Sequence, residues 1–124
     1  GQNTDNLETL CLNINRFLIT YLGAQQCRLY LVEGHSENLI LKLYSCYAFG
    51  RKKYLEDTIL PGQGLVGQAF LERSPIVLLE VPADYIKITS GLGEASPRCV
   101  VVFPFLYNEQ VVAVFEVASF EQLT

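Results

Sequence analysis

Few residues in this chain are equipped for chemistry, and their spacing decides what they can do. Gly62-x-Gly64-x-x-Gly67 reads literally as a dinucleotide-binding glycine pattern, with Asp84 standing beyond it where an acid would meet a ribose. That motif needs a buried apolar strand running straight into the first glycine. Residues 54–61 are instead half polar and end in Pro61, and no repeated strand–helix–strand units surround them. The three glycines are therefore read as packing residues in a turn that opens a short helix. Cys11, Cys27, Cys46 and Cys99 form no CxxC motif and no close Cys/His pair, so neither a zinc site nor a disulfide framework is expected. They read as buried free thiols, a state that suits the cytoplasm. His35, the sole histidine, lies in a polar turn and reads as solvent-exposed. No catalytic residue, metal or cofactor is expected.

Two places invite a ligand. Glu116 interrupts the apolar run 111–118, where a lone carboxylate is costly unless it is paired or faces a cavity. Strand alternation puts Val112, Val114, Glu116 and Ala118 on one face. Its partner is expected to be a ligand cation, Lys87 or Arg98, and a plain salt bridge to Arg98 without any ligand is the competing reading. The second place is Tyr85-Ile-Lys-Ile-Thr-Ser-Gly-Leu-Gly-Glu94. Its glycines let backbone approach another surface, and amide groups beside Thr89 and Ser90 are good donors to an anion or a carbonyl. The competing reading there is a surface loop that only closes the domain. The candidate ligand-binding set is Glu116, Val100, Val102, Tyr85, Ile88, Thr89, Ser90, Gly91, Leu92 and Gly93.

The elements that must position these residues follow from periodicity. Leu7, Leu10, Cys11, Ile14, Phe17, Leu18 and Tyr21 recur at helical spacing, so residues 5–22 read as an amphipathic helix, capped by Asp5 with Glu8 and ended by Gly23. Residues 27–32 and 39–49 read as a hairpin about a turn at 34–38, with Leu39, Leu41 and Leu43 on one face and Lys42 and Tyr44 on the other. Arg51-Lys52-Lys53 reads as a solvated turn and 54–60 as a weak strand. Residues 64–73 form a short helix, 76–80 a short strand, and 83–88 a turn or short helix. Residues 99–106 and 110–119 form a final hairpin about Tyr107-Asn108-Glu109. Their near-continuous apolar runs suit a sheet covered on both faces. The fold class is α+β, an antiparallel sheet with helices on both sides.

Bulk properties narrow the function. With 124 residues, half of them apolar and only 18% charged, the chain is one globular domain with a real core and not a disordered segment. A net charge of −4 argues against nucleic-acid binding. No apolar run is long enough to span a membrane, and no signal-peptide pattern begins the chain, so no direct membrane contact is expected. The absence of methionine and the Gly1-Gln2-Asn3 start suggest a domain, 1–124, taken from a longer chain, and Glu121-Gln122-Leu123-Thr124 reads as the start of a truncated helix.

The order of these parts, and the wording PGQGLVGQ, SPRCVVVFPF and VVAVFEVASF within residues 61–120, strongly resembles the GAF family of sensory domains. The resemblance is close over half the chain and looser elsewhere. It implies a central antiparallel sheet of five or six strands, terminal helices on one face, and on the other a short helix and loops roofing a ligand cavity. It places the 85–94 loop over that cavity and Glu116 within it. It implies a regulatory domain of a bacterial signalling protein, such as a two-component sensor histidine kinase, with an unknown small-molecule ligand, a homodimeric state and an output domain in the full-length chain. A structural dimerisation module without ligand is the alternative. An enzyme similar to the free-methionine sulfoxide reductases is remote. That family wants a cysteine where this chain has Leu65-Val66 and another where it has residues 86–93, and of its pocket acids, corresponding to Val100, Glu116 and Ala118, only Glu116 survives. Without a nucleophilic thiolate the chemistry has no carrier. The residue sets associated with cyclic-nucleotide or bilin binding are not recognisable.

Overall fold

The strand at the centre of the molecule is the one whose sequence is apolar on both sides. The structure, a computed structural model, describes residues 9, 10, 12–14, 16–18, 20, 26–48, 51–53, 58–81, 88–90, 93–95 and 98–119. Residues 9–20 are helical wherever described (α1). Then come β1 (Gln26–Glu33), a 3-10 turn (Ser36–Asn38), β2 (Ile40–Ala48), β3 (Arg51–Lys53), β4 (Thr58–Ile59), α2 (Gly64–Glu72), β5 (Ile76–Leu78), β6 (Ile88–Ser90), β7 (Gly93–Ala95), β8 (Cys99–Tyr107) and β9 (Gln110–Ser119). The main sheet runs β3-β2-β1-β9-β8-β5, and β4 shares the outer edge of β2 with β3. β6 and β7 pair with each other in a separate ribbon. Every pairing is antiparallel. The glycine pattern is thus preceded by a two-residue edge strand, and not by the buried parallel strand a dinucleotide site requires.

β-branched and aromatic residues fill β8 and β9, whose side chains pack on both faces of the pleat. Alternation along β9 sends Val114 and Ala118 into one core with Tyr30, Leu41, Leu43, Cys46, Val100 and Val102, closed by Val66 and Ala69 of α2. It sends Ala113, Phe115 and Val117 into the other, with Cys27, Leu29 and Leu18 of α1. One helix therefore covers each face. On the α1 side Phe103 and Phe115, directly opposed across the strands, stack with ring centroids 5.1 Å apart. The β8–β9 hairpin closes through Asn108 and Glu109, both at positive φ, as a two-residue turn with matched twist demands.

Three local features differ from the sequence-based expectation. Arg51-Lys52-Lys53 is an edge strand paired to β2 and not a solvated turn. The β1–β2 register shifts between Leu29 and Tyr30, so Leu43 and Cys46, an odd number apart, lie in the same core. Ile88–Ser90 and Gly93–Ala95 pair as the β6–β7 ribbon where a turn and a glycine loop were expected, and Gly91 and Leu92 lie outside the described residues. Cys27, Cys46 and Cys99 are buried, whereas Cys11 lies outside the described residues.

Candidate ligand-binding site

The polar residues of interest meet on the α2-covered face of the sheet. Antiparallel register sets Ile76, Val102, Glu116, Arg28 and Cys46 in one row across β5, β8, β9, β1 and β2. The neighbouring row holds Leu78, Val100, Ala118 and Gln26. Val100 and Val102 are fully buried and Glu116 is 7% exposed, so the carboxylate does sit on an enclosed apolar face.

The cation it meets is Arg28. Arg28 Nε stands 3.9 Å from Glu116 Oε1, close enough for charge pairing and too long for a hydrogen bond. Burial lowers the pKa of the Arg28 guanidinium, but a hydrogen bond with the Tyr30 side chain and the attraction of Glu116 outweigh it, leaving the value above the ordinary arginine range. Arg28 is thus a permanent charge. Arg98, the partner expected from sequence, is exposed, and its backbone N–H donates to the Ser119 carbonyl at 2.9 Å. Lys87 lies outside the described residues.

One donor of this pair and one beside it have no acceptor among the described residues. Gln26 Nε2 and Arg28 Nε are buried and make no hydrogen bond among the described residues, although Gln26 is only 4% exposed. Buried N–H groups are almost always paired, so two orphans on one face mark a place unlike the rest of the core. Sequence reasoning did not single out Gln26, Arg28 or Tyr30. The only available signal was an arginine at an inward position of a strand, and its meaning depends on a long-range register. Of the other candidates, Ile88, Thr89, Ser90 and Gly93 lie on β6 and β7, and Tyr85, Gly91 and Leu92 lie outside the described residues.

An open groove of about 700 Å³ lies elsewhere, between the β1–β2 turn, the end of α2 and the start of β9, lined by Val32, His35, Phe70, Leu71, Arg73 and Val111 among others. Glu116 does not line it. His35 is exposed there, as its polar surroundings predicted. Among the described residues no group of three His, Cys, Asp or Glu could hold a metal, and no helix is long and apolar enough to cross a membrane.

A six-position antiparallel sheet with one helix on each face makes this an α+β domain, with the Arg28–Glu116 charge pair on the face that α2 covers. The chain belongs to the GAF family, whose model, described as GAF domain, matches residues 4–123. Among curated proteins nothing matches. Solved structures do match. A GAF domain of A. aeolicus in an inactive state superposes with a TM-score of 0.63 at 20% identity, over 89% of this chain and 67% of that one. The GAF domain of a two-component sensor histidine kinase from Bacillus halodurans gives 0.64 at 17% identity, over 95% and 79%. A type II free methionine-R-sulfoxide reductase from Thermoplasma acidophilum gives 0.67 at 16% identity, over 93% and 75%. At such identities the likeness concerns the fold.

Proposed function

We propose that this domain is a regulatory sensor: a small molecule binds the α2-covered face beside Glu116 and Arg28, and its occupancy biases an attached output domain. The reading extends to a cytoplasmic bacterial signalling protein of the histidine-kinase type, supported by the fold shared with the B. halodurans domain. The observation that carries it is the charge pair beside an apolar core, with Gln26 Nε2 and Arg28 Nε lacking an acceptor among the described residues. Such a cluster is expensive for stability alone, since an apolar replacement of similar volume is commonly neutral or better. A ligand signals only through unequal affinity for two conformations, so the mechanism requires that occupancy shift a pre-existing equilibrium.

Catalysis is not part of this proposal. The sulfoxide reductase likeness lies in the fold, and the positions corresponding to that family's pocket acids converge here as Val100, Glu116 and Ala118, a single carboxylate among three. Native mass spectrometry of the purified protein, followed by denaturation, tests for a retained small molecule. A ligand present at about a hundred times its Kd should add about 2.7 kcal/mol of stability. The wild-type Tm then rises by several degrees while that of Glu116→Ala does not. Equal shifts in both proteins would place binding elsewhere. A second reading, dimerisation through α1, is favoured by the exposed Leu10 and Phe17 on that helix.

A further inference from the structure

We propose that the ligand of this face is recognised through an uncharged oxygen acceptor, a carbonyl or amide oxygen, held by Gln26 Nε2 and Arg28 Nε. The proposal rests on the sensor reading and specifies its chemistry. Both nitrogens are donors, both are buried, and neither has an acceptor among the described residues. Gln26 and Arg28 are two positions apart on β1, so their side chains leave the same face of the sheet toward one region. Two N–H groups on one face suit one oxygen with two lone pairs, or two oxygens side by side.

Charge decides between a neutral and an anionic acceptor. Arg28 is already matched by Glu116 at the directly opposed register position. A ligand anion would enter a buried region beside that carboxylate, and Arg28, already engaged by Glu116, would be shared between two negative charges. A carbonyl oxygen satisfies both donors and changes no charge. An unsatisfied donor pair also discriminates sharply, because an analogue lacking the oxygen leaves both N–H groups buried and unpaired.

The test is nuclear magnetic resonance of the full chain, watching the Arg28 Nε–H and Gln26 side-chain amide signals, with acetamide, nicotinamide and uracil as neutral carbonyl probes and acetate and nitrate as anions. The expected result is that at least one neutral probe moves both signals saturably, and that Gln26→Leu weakens that probe about tenfold. Several outcomes overturn the inference. One is that the anions move the signals and the neutral probes do not. Another is that both donors keep contact with a long-lived water at every probe concentration. A third is that a probe moves the backbone signals of Val100, Val102 and Glu116 but neither donor, in which case the sensor reading stands and the donor assignment falls. If no probe moves anything, the assignment falls as well, while a molecule retained in native mass spectrometry would still support the sensor reading. A Gln26→Leu protein that fails to fold leaves the wild-type titration decisive.

Discussion

Arg28 and Glu116 face each other from strands far apart in the chain, and their mutual dependence is measurable. A double-mutant cycle with Arg28→Leu and Glu116→Leu should give a coupling of about 1–2 kcal/mol in chemical denaturation, each single change costing more than its share of the double. A coupling near zero would mean that solvent already screens the pair, since the Arg28 side chain is 24% exposed. The pH dependence has a definite sign. A raised arginine pKa contributes stability that is fully present below the unfolded value and is lost only as pH rises through the still higher folded value, both far above the neutral range. Titration of Arg28 therefore adds no slope between pH 6 and pH 9, and the destabilisation of Arg28→Leu should show none that Arg28 itself supplies. Glu116 was legible in the sequence because a carboxylate among valines contradicts its surroundings. Arg28 was not, because strand register across the sheet depends on the whole set of packed faces and no local pattern encodes it.

The element most exposed to a single substitution is the turn into α2. A Cβ at Gly67 would lie 2.5 Å from the Leu60 carbonyl oxygen and 2.8 Å from the Gly62 nitrogen, both backbone atoms. Gly67→Ala should cost about 2–3 kcal/mol in urea denaturation, because that turn must move away from the helix. Gly64 has φ +61 with nothing within 4 Å of a built Cβ, so Gly64→Ala should cost only about 1 kcal/mol, from backbone conformation alone. Equal costs would contradict this division. The sequence shows three glycines in a row of turns and rules out the nucleotide reading, yet it treats the three alike. Which of them is pressed against backbone is a tertiary fact. Helices and long strands were legible from periodicity to within a few residues. The short basic edge strand β3 was not, since its order comes from pairing with β2 and its charges read locally as solvated.

The molecule as a whole is a sheet held between two helices, and its exposed apolar residues are unevenly placed. On α1, Ile14 and Leu18 pack against the sheet while Leu10 and Phe17 are more than half exposed, at 52% and 54%. If α1 joins two copies, the wild-type protein sediments as a dimer and Leu10→Lys moves it toward monomer with its fold intact by circular dichroism. A wild-type protein that sediments as a monomer at all accessible concentrations would remove the dimerisation reading. Fold class and layer order were legible because hydrophobic runs in β8 and β9 demand cover on both faces. Which polar atoms lack partners between the layers was not, since that is decided only once packing is complete.

β9 carries both layers in one strand, with Glu116 flanked by Phe115 and Val117 on the opposite face. Odd and even positions of this segment thus belong to different molecular surfaces, and the assignment has parity. Deleting one residue from the β8–β9 turn and sliding the strand to compensate would put Glu116 in the place of Phe115, opposite Phe103, and Val117 in the place of Glu116, opposite Arg28. Removing two would restore every side chain to its own face, displaced by one step. Length variation near this hairpin is therefore constrained to even steps, a rule of arithmetic that no individual residue in the segment displays.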